Sequence, residues 1–456
     1  MSISPQVRAA VVGATPRSGT ADVDVREIPL PSPHAPGWVV LRPTLSGICG
    51  SDLDMLRGAR GRTIAAREPQ GVVPGHELVG IVSDARGTHW VREGQRVLVE
   101  PTLRCVHKGL PDCSRCRAGE GHLCENVDRS GPLCGGESVG FSARTGGGWS
   151  EALLVHEDML LPADGLSDQR AVLAEPAASA LHAVMRWQRR GDRAVVIGTG
   201  PVSRLCVATL ARLHPGLDIS VVYDGRGKPR TRFGRRRRAM PGHALANPDA
   251  DAAAIREMGA ARVWRGPPEW IVDQAAELTR ARRMHRDDDA LPLLDRGVDV
   301  VFDCRGTSAS VNLALHMLRG GGSLVLAQRP GRIDVDWSLV WSREISVLGS
   351  SSYGRESNGL RTFAVIRDWL GDPAFPIDDM VTHRFRLEEV GAAITTAAAG
   401  TAVGAVKVVI EGGGSPLRDS IAQPDGIGAA ETDEPVLLHV AAKRVQSVRN
   451  AANDRD

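Results

Sequence analysis

The sequence predicts an α/β-plus-β fold, a turn-rich β-barrel domain combined with a doubly wound parallel sheet. Three observations carry this. Short strands separated by proline breaks fill residues 1–165, strands and helices alternate across 166–335, and β texture returns over 336–411. At 456 residues there is room for two or three domains, and 42% hydrophobic content fits a folded globular chain. Only 4% of residues are aromatic, which argues against a base-stacking nucleic-acid platform, and a net charge of +2 points to no particular partner.

Taken in order, Arg8–Gly13 and Val23–Ile28 read as paired short strands with alternating faces. Pro29, Pro31, Pro33 and Pro36 break the chain before a strand from Trp38 to Arg42. Leu78–Val82 and Arg96–Val99 continue the β pattern. The texture changes near Ser167, where alanine-rich Ala171–Arg189 reads as a helix. A buried strand at Arg193–Gly198, a helix at Val202–Leu213 and a strand at Ile219–Asp224 follow. Val298–Asp303, a helix over Ser308–Leu318 and a strand over Ser323–Gln328 extend the alternation. Ile345–Gly349 and Ala405–Ile410 are expected to rejoin the first domain. An arginine-rich insertion spans 225–248, and a tail of small and polar residues, expected to be disordered, spans 412–456.

Gly198-Thr-Gly200-Pro201-Val202-Ser203 ends a strand and opens a helix, the setting that makes a nucleotide turn credible. The first glycine permits the tight turn. The second lets backbone amides approach a pyrophosphate at the helix N-terminus, and Ser203 takes the third, small position. Asp224 ends the next strand, where an acid would hold the ribose hydroxyls of NAD. Arg226, Lys228 and Arg230 follow at once and offer charge to the extra phosphate of NADP. NAD is the favoured cofactor and NADP the alternative.

Cys105, Cys113, Cys116 and Cys124 fall within a 100–126 lobe, and their number and spacing suit a tetrahedral structural zinc. A disulfide framework is the competing reading. Residues 1–20 lack a secretory pattern, and no stretch reaches the roughly 18 apolar residues needed to span a bilayer. A cytoplasmic, reducing compartment is therefore expected, where clustered cysteines more often bind metal. Upstream, Cys49 offers a thiolate and His76 an imidazole, mixed ligands suited to a catalytic zinc with an open position. Glu175 is the carboxylate expected to complete the set, with Glu77 beside it or exchanging with it. Taken alone, Cys49 and His76 read as an ordinary buried pair; their setting reverses that.

These landmarks, in order, resemble the zinc-containing medium-chain dehydrogenase/reductase superfamily of alcohol, sorbitol and threonine dehydrogenases. The resemblance runs from about Arg8 to Glu411. It rests on Gly47-Ile-Cys-Gly-Ser-Asp, Pro74-Gly-His-Glu, the cysteine lobe, Gly147-Gly-Trp-Ser-Glu, Leu173-Ala-Glu-Pro, the glycine turn, Asp303-Cys304-Arg-Gly and Lys407-Val-Val. It implies a GroES-like catalytic barrel, a Rossmann domain and an active site between them. It further implies Cys49, His76 and Glu175 as catalytic-zinc ligands, Ser51 as the hydroxyl relaying the substrate proton, and Cys304 on the cofactor side. The implied activity is hydride transfer between a secondary alcohol, polyol or sugar-like substrate and NAD(P). A dimer or tetramer is implied, with neither a specific nucleic acid nor a membrane as partner.

The pattern departs from the family at three places. Cys105 stands eight positions before Cys113 where a shorter step is usual, so Cys134 is a possible substitute ligand as well as a free thiol. Asp54 occupies a position where many alcohol dehydrogenases carry a histidine; it is either a proton exit or a surface acid. The arginine-rich insertion is either a solvated loop or a polyanion contact. Two rival functions stand beside the polyol reading: a threonine or amino-alcohol dehydrogenase, and a non-catalytic zinc- and nucleotide-binding regulator.

Overall fold

The computed structural model describes residues 6–13, 22–30, 32–33, 35–57, 71–126, 138–223, 247–284, 291–356 and 358–412. The expectations for Cys134, Asp224, Arg226, most of the insertion and the tail lie outside these residues.

Strands β1 (Gln6–Val12) and β2 (Val23–Pro29) form the expected antiparallel pair. β3 (Trp38–Gly47) is buried along most of its length because it is the hub of the first domain. It pairs with β4 (Leu78–Asp84) and also with β6 (Leu153–His156). β4 continues into β5 (Arg96–Val99), and β5 pairs with β7 (Leu160–Pro162).

The second domain is a parallel sheet of β8 (Arg193–Ile197), β9 (Asp218–Val222), β10 (Arg262–Trp264), β13 (Val298–Asp303), β14 (Leu318–Leu326) and β15 (Ser346–Gly349). Its order is β10-β9-β8-β13-β14-β15, and a short hairpin, β11 (Arg283–Met284) with β12 (Leu293–Leu294), stands apart. Successive residues of a strand face opposite sides, and here both sides are covered. On β8, Ala194 and Val196 enter one hydrophobic cluster while Val195 and Ile197 enter another. Helices Ala174–Arg186 and Pro201–Leu213 supply the first cluster; Pro268–Thr279 and Ser308–Met317 supply the second.

Two expectations are corrected. Ile345–Gly349 does not rejoin the first domain, because β15 adds to the parallel sheet beside β14. Its residues are only half covered, as an edge strand's are, and short runs carry no signal of which sheet receives them. The boundary near 335 therefore moves past Gly349. The helix expected over 171–189 is shorter, Ala174–Arg186, with Glu175 in its first turn, and a separate short helix, Asp168–Ala171, precedes it.

The chain then returns to the first domain through β16 (Val381–Arg386) and β17 (Lys407–Glu411), and β17 pairs antiparallel with β3. The first hydrophobic cluster contains Leu45, Val79 and Leu98 of the barrel together with Val196 and Phe302 of the parallel sheet. One core thus joins the two domains. Among the described residues, no helix is long and apolar enough to cross a membrane.

Candidate functional site

The loop Pro74–Glu77 is held by backbone packed too closely for side chains. Gly148 N–H donates to the Gly75 carbonyl at 2.8 Å and Trp149 N–H to that of Pro74 at 3.0 Å. A Cβ at Gly147 would lie 2.3 Å from the carbonyl oxygens of Val73 and Pro74, and Gly75 itself has φ +97°. Trp149, fully buried, donates its indole N–H to the Gly47 carbonyl at 3.3 Å. These contacts aim His76 and Glu77 at the start of the helix Gly50–Leu56.

Cys49 is the N-cap of that helix, and its backbone N–H donates to Asp52 Oδ2 at 2.9 Å. The other Asp52 oxygen lies 3.3 Å from His76 Nδ1, but out of line, so both atoms are buried without a proper hydrogen bond. Ligand atoms of Cys49, His76 and Glu77 all lie within 4.8 Å of one another. Ser51 Oγ is 3.4 Å from His76 Nε2. A Cβ at Gly50 would be 3.6 Å from Gln328 Nε2, just past the C-terminal end of β14, which sets this cluster beside that edge of the parallel sheet.

Burial alone would depress His76, yet the nearby charge of Asp52, and then Cys49, hold its pKa well above the usual range. Glu77 meets a buried cation: Lys407 Nζ donates to its two oxygens at 2.8 and 2.6 Å. Glu175, half-buried, is raised to about 7, first by burial and then by the charge of Glu77, while His76 and Lys407 pull it down. Cys49, His76 and Glu77 thus gather beside Lys407, whereas Glu175, the carboxylate expected to complete the set, is not in that close group, though the charges of His76 and Glu77 reach it. The thiol, imidazole and carboxylate donors gathered here fit a divalent cation such as zinc.

The sequence reading missed Asp52 and Lys407 as members of the site. Asp52 had a signal, since an acid three places after an N-cap is a capping pattern. Lys407 had none, lying 330 residues from Glu77. Asp54 sits 3.7 Å from Arg57 on its own helix, a surface ion pair rather than part of the cluster.

The four lobe cysteines also gather, all sulfurs within 4.8 Å. Cys105 Sγ accepts from Cys113 N–H at 3.4 Å and from Asn126 Nδ2 at 3.1 Å; Cys113 Sγ accepts from Cys116 N–H at 3.4 Å. The long Cys105–Cys113 interval is taken up by a turn over Val106–Lys108 ending at Gly109, φ 64°. Burial works against the Cys113 thiolate, but the N–H donors of Glu125 and Cys116 bring its pKa down to about 6. All four are free thiols, and thiolates donated into by N–H groups fit zinc. His107, His156 and Asp158 make a third close group. It does not suit a metal: His107 Nδ1 accepts the Arg104 N–H at 2.9 Å, so the proton sits on Nε2 and is donated to Asp158 at 2.5 Å.

At the glycine turn, Gly198 has φ +120° and a Cβ there would meet Ser203 Oγ at 2.7 Å. Gly200 caps the helix that starts at Pro201 and has open space where a side chain would be. Val202 lies half-buried in its first turn. This open backbone at a helix N-terminus fits a pyrophosphate. Cys304 follows β13, its N–H on the Ile197 carbonyl at 3.1 Å and its thiol paired with buried Cys206. Its side chain therefore turns toward the helix behind the turn. Asp303 is buried and accepts the N–H groups of Arg305 and Gly306, which shapes that loop.

Two family models match the chain: an alcohol dehydrogenase GroES-like domain over residues 35–165 and a zinc-binding dehydrogenase over 244–365. An uncharacterized zinc-type alcohol dehydrogenase-like protein of Escherichia coli is 28% identical, covering 84% of this chain and 94% of its own. A protein named "Probable D-xylulose reductase A" of Neosartorya fischeri is 27% identical over 74% of this chain and 81% of its own. An L-threonine 3-dehydrogenase of Mesorhizobium japonicum is 24% identical over 80% and 89%. Among solved structures, 2R,3R-butanediol dehydrogenase of Bacillus subtilis shares the fold with TM-score 0.64 at 24% identity, covering 89% of this chain and 100% of that one.

Proposed function

The chain belongs to the zinc-containing medium-chain dehydrogenase/reductase superfamily, and from that premise we propose that its crevice interconverts a polyol-like secondary alcohol and its ketone. It is a zinc-dependent, NAD(P)-linked oxidoreductase of alcohols. The observation that carries our assignment of the site is the Cys49–His76–Glu77 cluster, with Glu175 adjoining, set against the C-terminal edge of the parallel sheet.

Cys49, His76 and Glu175 would hold the catalytic zinc. Glu77 has its charge matched by Lys407, whereas Glu175 makes no salt bridge among the described residues and feels His76 and Lys407 only at longer range, so Glu175 is the carboxylate that an added ion would stabilise most. When bound, zinc supplies Lewis acidity toward the alcohol and the nicotinamide accepts hydride. Asp52 favours a proton on His76 Nδ1 and so leaves the Nε2 lone pair free as a ligand. Ser51, beside His76 Nε2, is placed to take the hydroxyl proton and pass it outward. The Phe141 ring, 5.1 Å from His76, helps to keep water from that side. Gly198, Gly200, Pro201 and Val202 would seat the dinucleotide, and an acid at position 224 of the sequence favours NAD.

A cytoplasmic setting suits the free lobe thiols. The open edge at β15 and exposed Trp337 and Trp341 suit pairing of two copies. A threonine-like substrate is the second reading, favoured by the resemblance to the threonine enzyme. The test is absorbance at 340 nm, the NADH band, with polyols, simple alcohols and threonine, alongside zinc counts for the parent, Cys49→Ala and Cys116→Ala. We expect polyol turnover, lost in Cys49→Ala with one zinc, while Cys116→Ala loses the other and mainly stability. Loss of the same ion from both variants would refute the two-site assignment. Turnover of threonine alone would select the second reading.

A further inference from the structure

A groove of about 900 Å³ opens at the N-terminal edge of the parallel sheet, opposite the glycine turn. Its wall is built from strand beginnings: Arg193 starts β8, Asp218 starts β9, Arg262 starts β10, and Asp299 and Arg319 are second in β13 and β14. A strand of this length separates the groove from the nucleotide crevice by roughly 16 Å. Nothing in dehydrogenase chemistry calls for charge at this edge.

The charges can be matched one by one. Asp218 pairs with Arg262. Asp299 takes Arg319 Nε at 2.7 Å and the backbone N–H groups of Asp192 and Arg193, each at 3.0 Å. Asp295 takes the Arg282 backbone N–H at 2.7 Å and its Nε at 2.9 Å. All three carboxylates lining the groove are thereby engaged. Arg193, Arg280 and Arg296 also line it, are exposed, and make no salt bridge among the described residues; Asp295 feels the charge of Arg296 less than that of Arg282. The helix Pro268–Thr279 ends here, and its partial negative charge, about half an elementary charge, offsets less than one of the three.

Two backbone features shape the groove around this surplus. Arg280 sits in the left-handed region at φ 52°, unusual for a residue with a side chain. On β14 the register jumps from Leu318 to Ser323 while β13 advances only from Val298 to Val300. Four residues, Arg319-Gly320-Gly321-Gly322, thus stand opposite the single Asp299 and bulge at the rim, and Gly320 lines the groove with bare backbone. Guanidiniums in a fork geometry beside glycine backbone are what polyphosphate oxygens bind.

We propose that this groove is a second binding site, for a small molecule carrying a polyphosphate. The probe is inorganic tripolyphosphate, titrated calorimetrically into the full chain saturated with NAD, so that the glycine turn is filled. One equivalent should bind. Joint Arg193→Ser and Arg296→Ser replacement should weaken it at least about tenfold, in keeping with the loss of charge-assisted contacts. Arg280→Gly should weaken binding similarly while leaving the melting temperature equal or higher, since glycine accepts that backbone conformation. Damage to the fold cannot produce that split. Unchanged affinity in these variants overturns the proposal, as does loss of binding only when Arg235 to Arg238 are replaced by serine. The readout involves no turnover, so it stands or falls apart from the dehydrogenase reading.

Discussion

Asp52 has no exposed surface, and its two oxygens are divided between the Cys49 backbone and the His76 ring. One carboxylate therefore fixes the position of two proposed ligands. Asp52→Asn keeps an oxygen for the helix cap but removes the charge that holds a proton on Nδ1. Zinc affinity at this site should fall about 10- to 100-fold, with the cysteine-lobe zinc retained, as measured by competition against a metal buffer. Equal affinity would mean that His76 is oriented by packing alone. At this scale the sequence was partly legible. Cys49, Ser51 and His76 were read from motifs because the motif residues are neighbours in both chain and space. Lys407 carries no such signal, because its tie to Glu77 exists only once β17 has docked against β3.

Among the elements, the Pro74–Glu77 loop depends on absent side chains. Gly147→Ala would set a methyl group 2.3 Å from two backbone carbonyl oxygens, which cannot rotate away as a flexible side chain would. The expected cost is about 1–3 kcal/mol, seen in chemical denaturation, together with weakened zinc retention at Cys49–His76. Gly331→Ala, with nothing within 4 Å, is the control and should be near neutral. Gly147-Gly-Trp-Ser-Glu was visible as a motif, but its purpose was not, since close approach of two backbones leaves no periodicity. The opposite holds for the parallel strands. Buried runs such as Arg193–Ile197 and Val298–Asp303 were legible because both faces are covered, whereas half-covered β15 was assigned to the wrong sheet.

For the molecule as a whole, acid stability offers a test that bypasses the metal sites. His214 follows the helix Pro201–Leu213 and meets the Trp187 ring edge-on at 5.7 Å. Burial, and then the charge of Arg189, bring its pKa down to about 4, below the unfolded value near 6.5. The unfolded chain thus binds the extra proton first, so this contribution is whole above pH ~6.5 and is lost as pH falls toward about 4. Allowing for the solvent-facing part of the ring, the loss is on the order of 1 kcal/mol. His214→Gln should remove that part of the pH dependence in melting curves recorded across the window; an unchanged slope would count against it.

The first domain closes only when β17 inserts between β16 and β3, carrying Lys407 to Glu77. During synthesis the N-terminal strands must therefore wait, unfinished, while the entire nucleotide-binding half emerges and folds. A ribosome that stops before β17 releases a polypeptide lacking the counter-charge of Glu77, so a nonsense codon upstream of Lys407 is expected to leave no working enzyme.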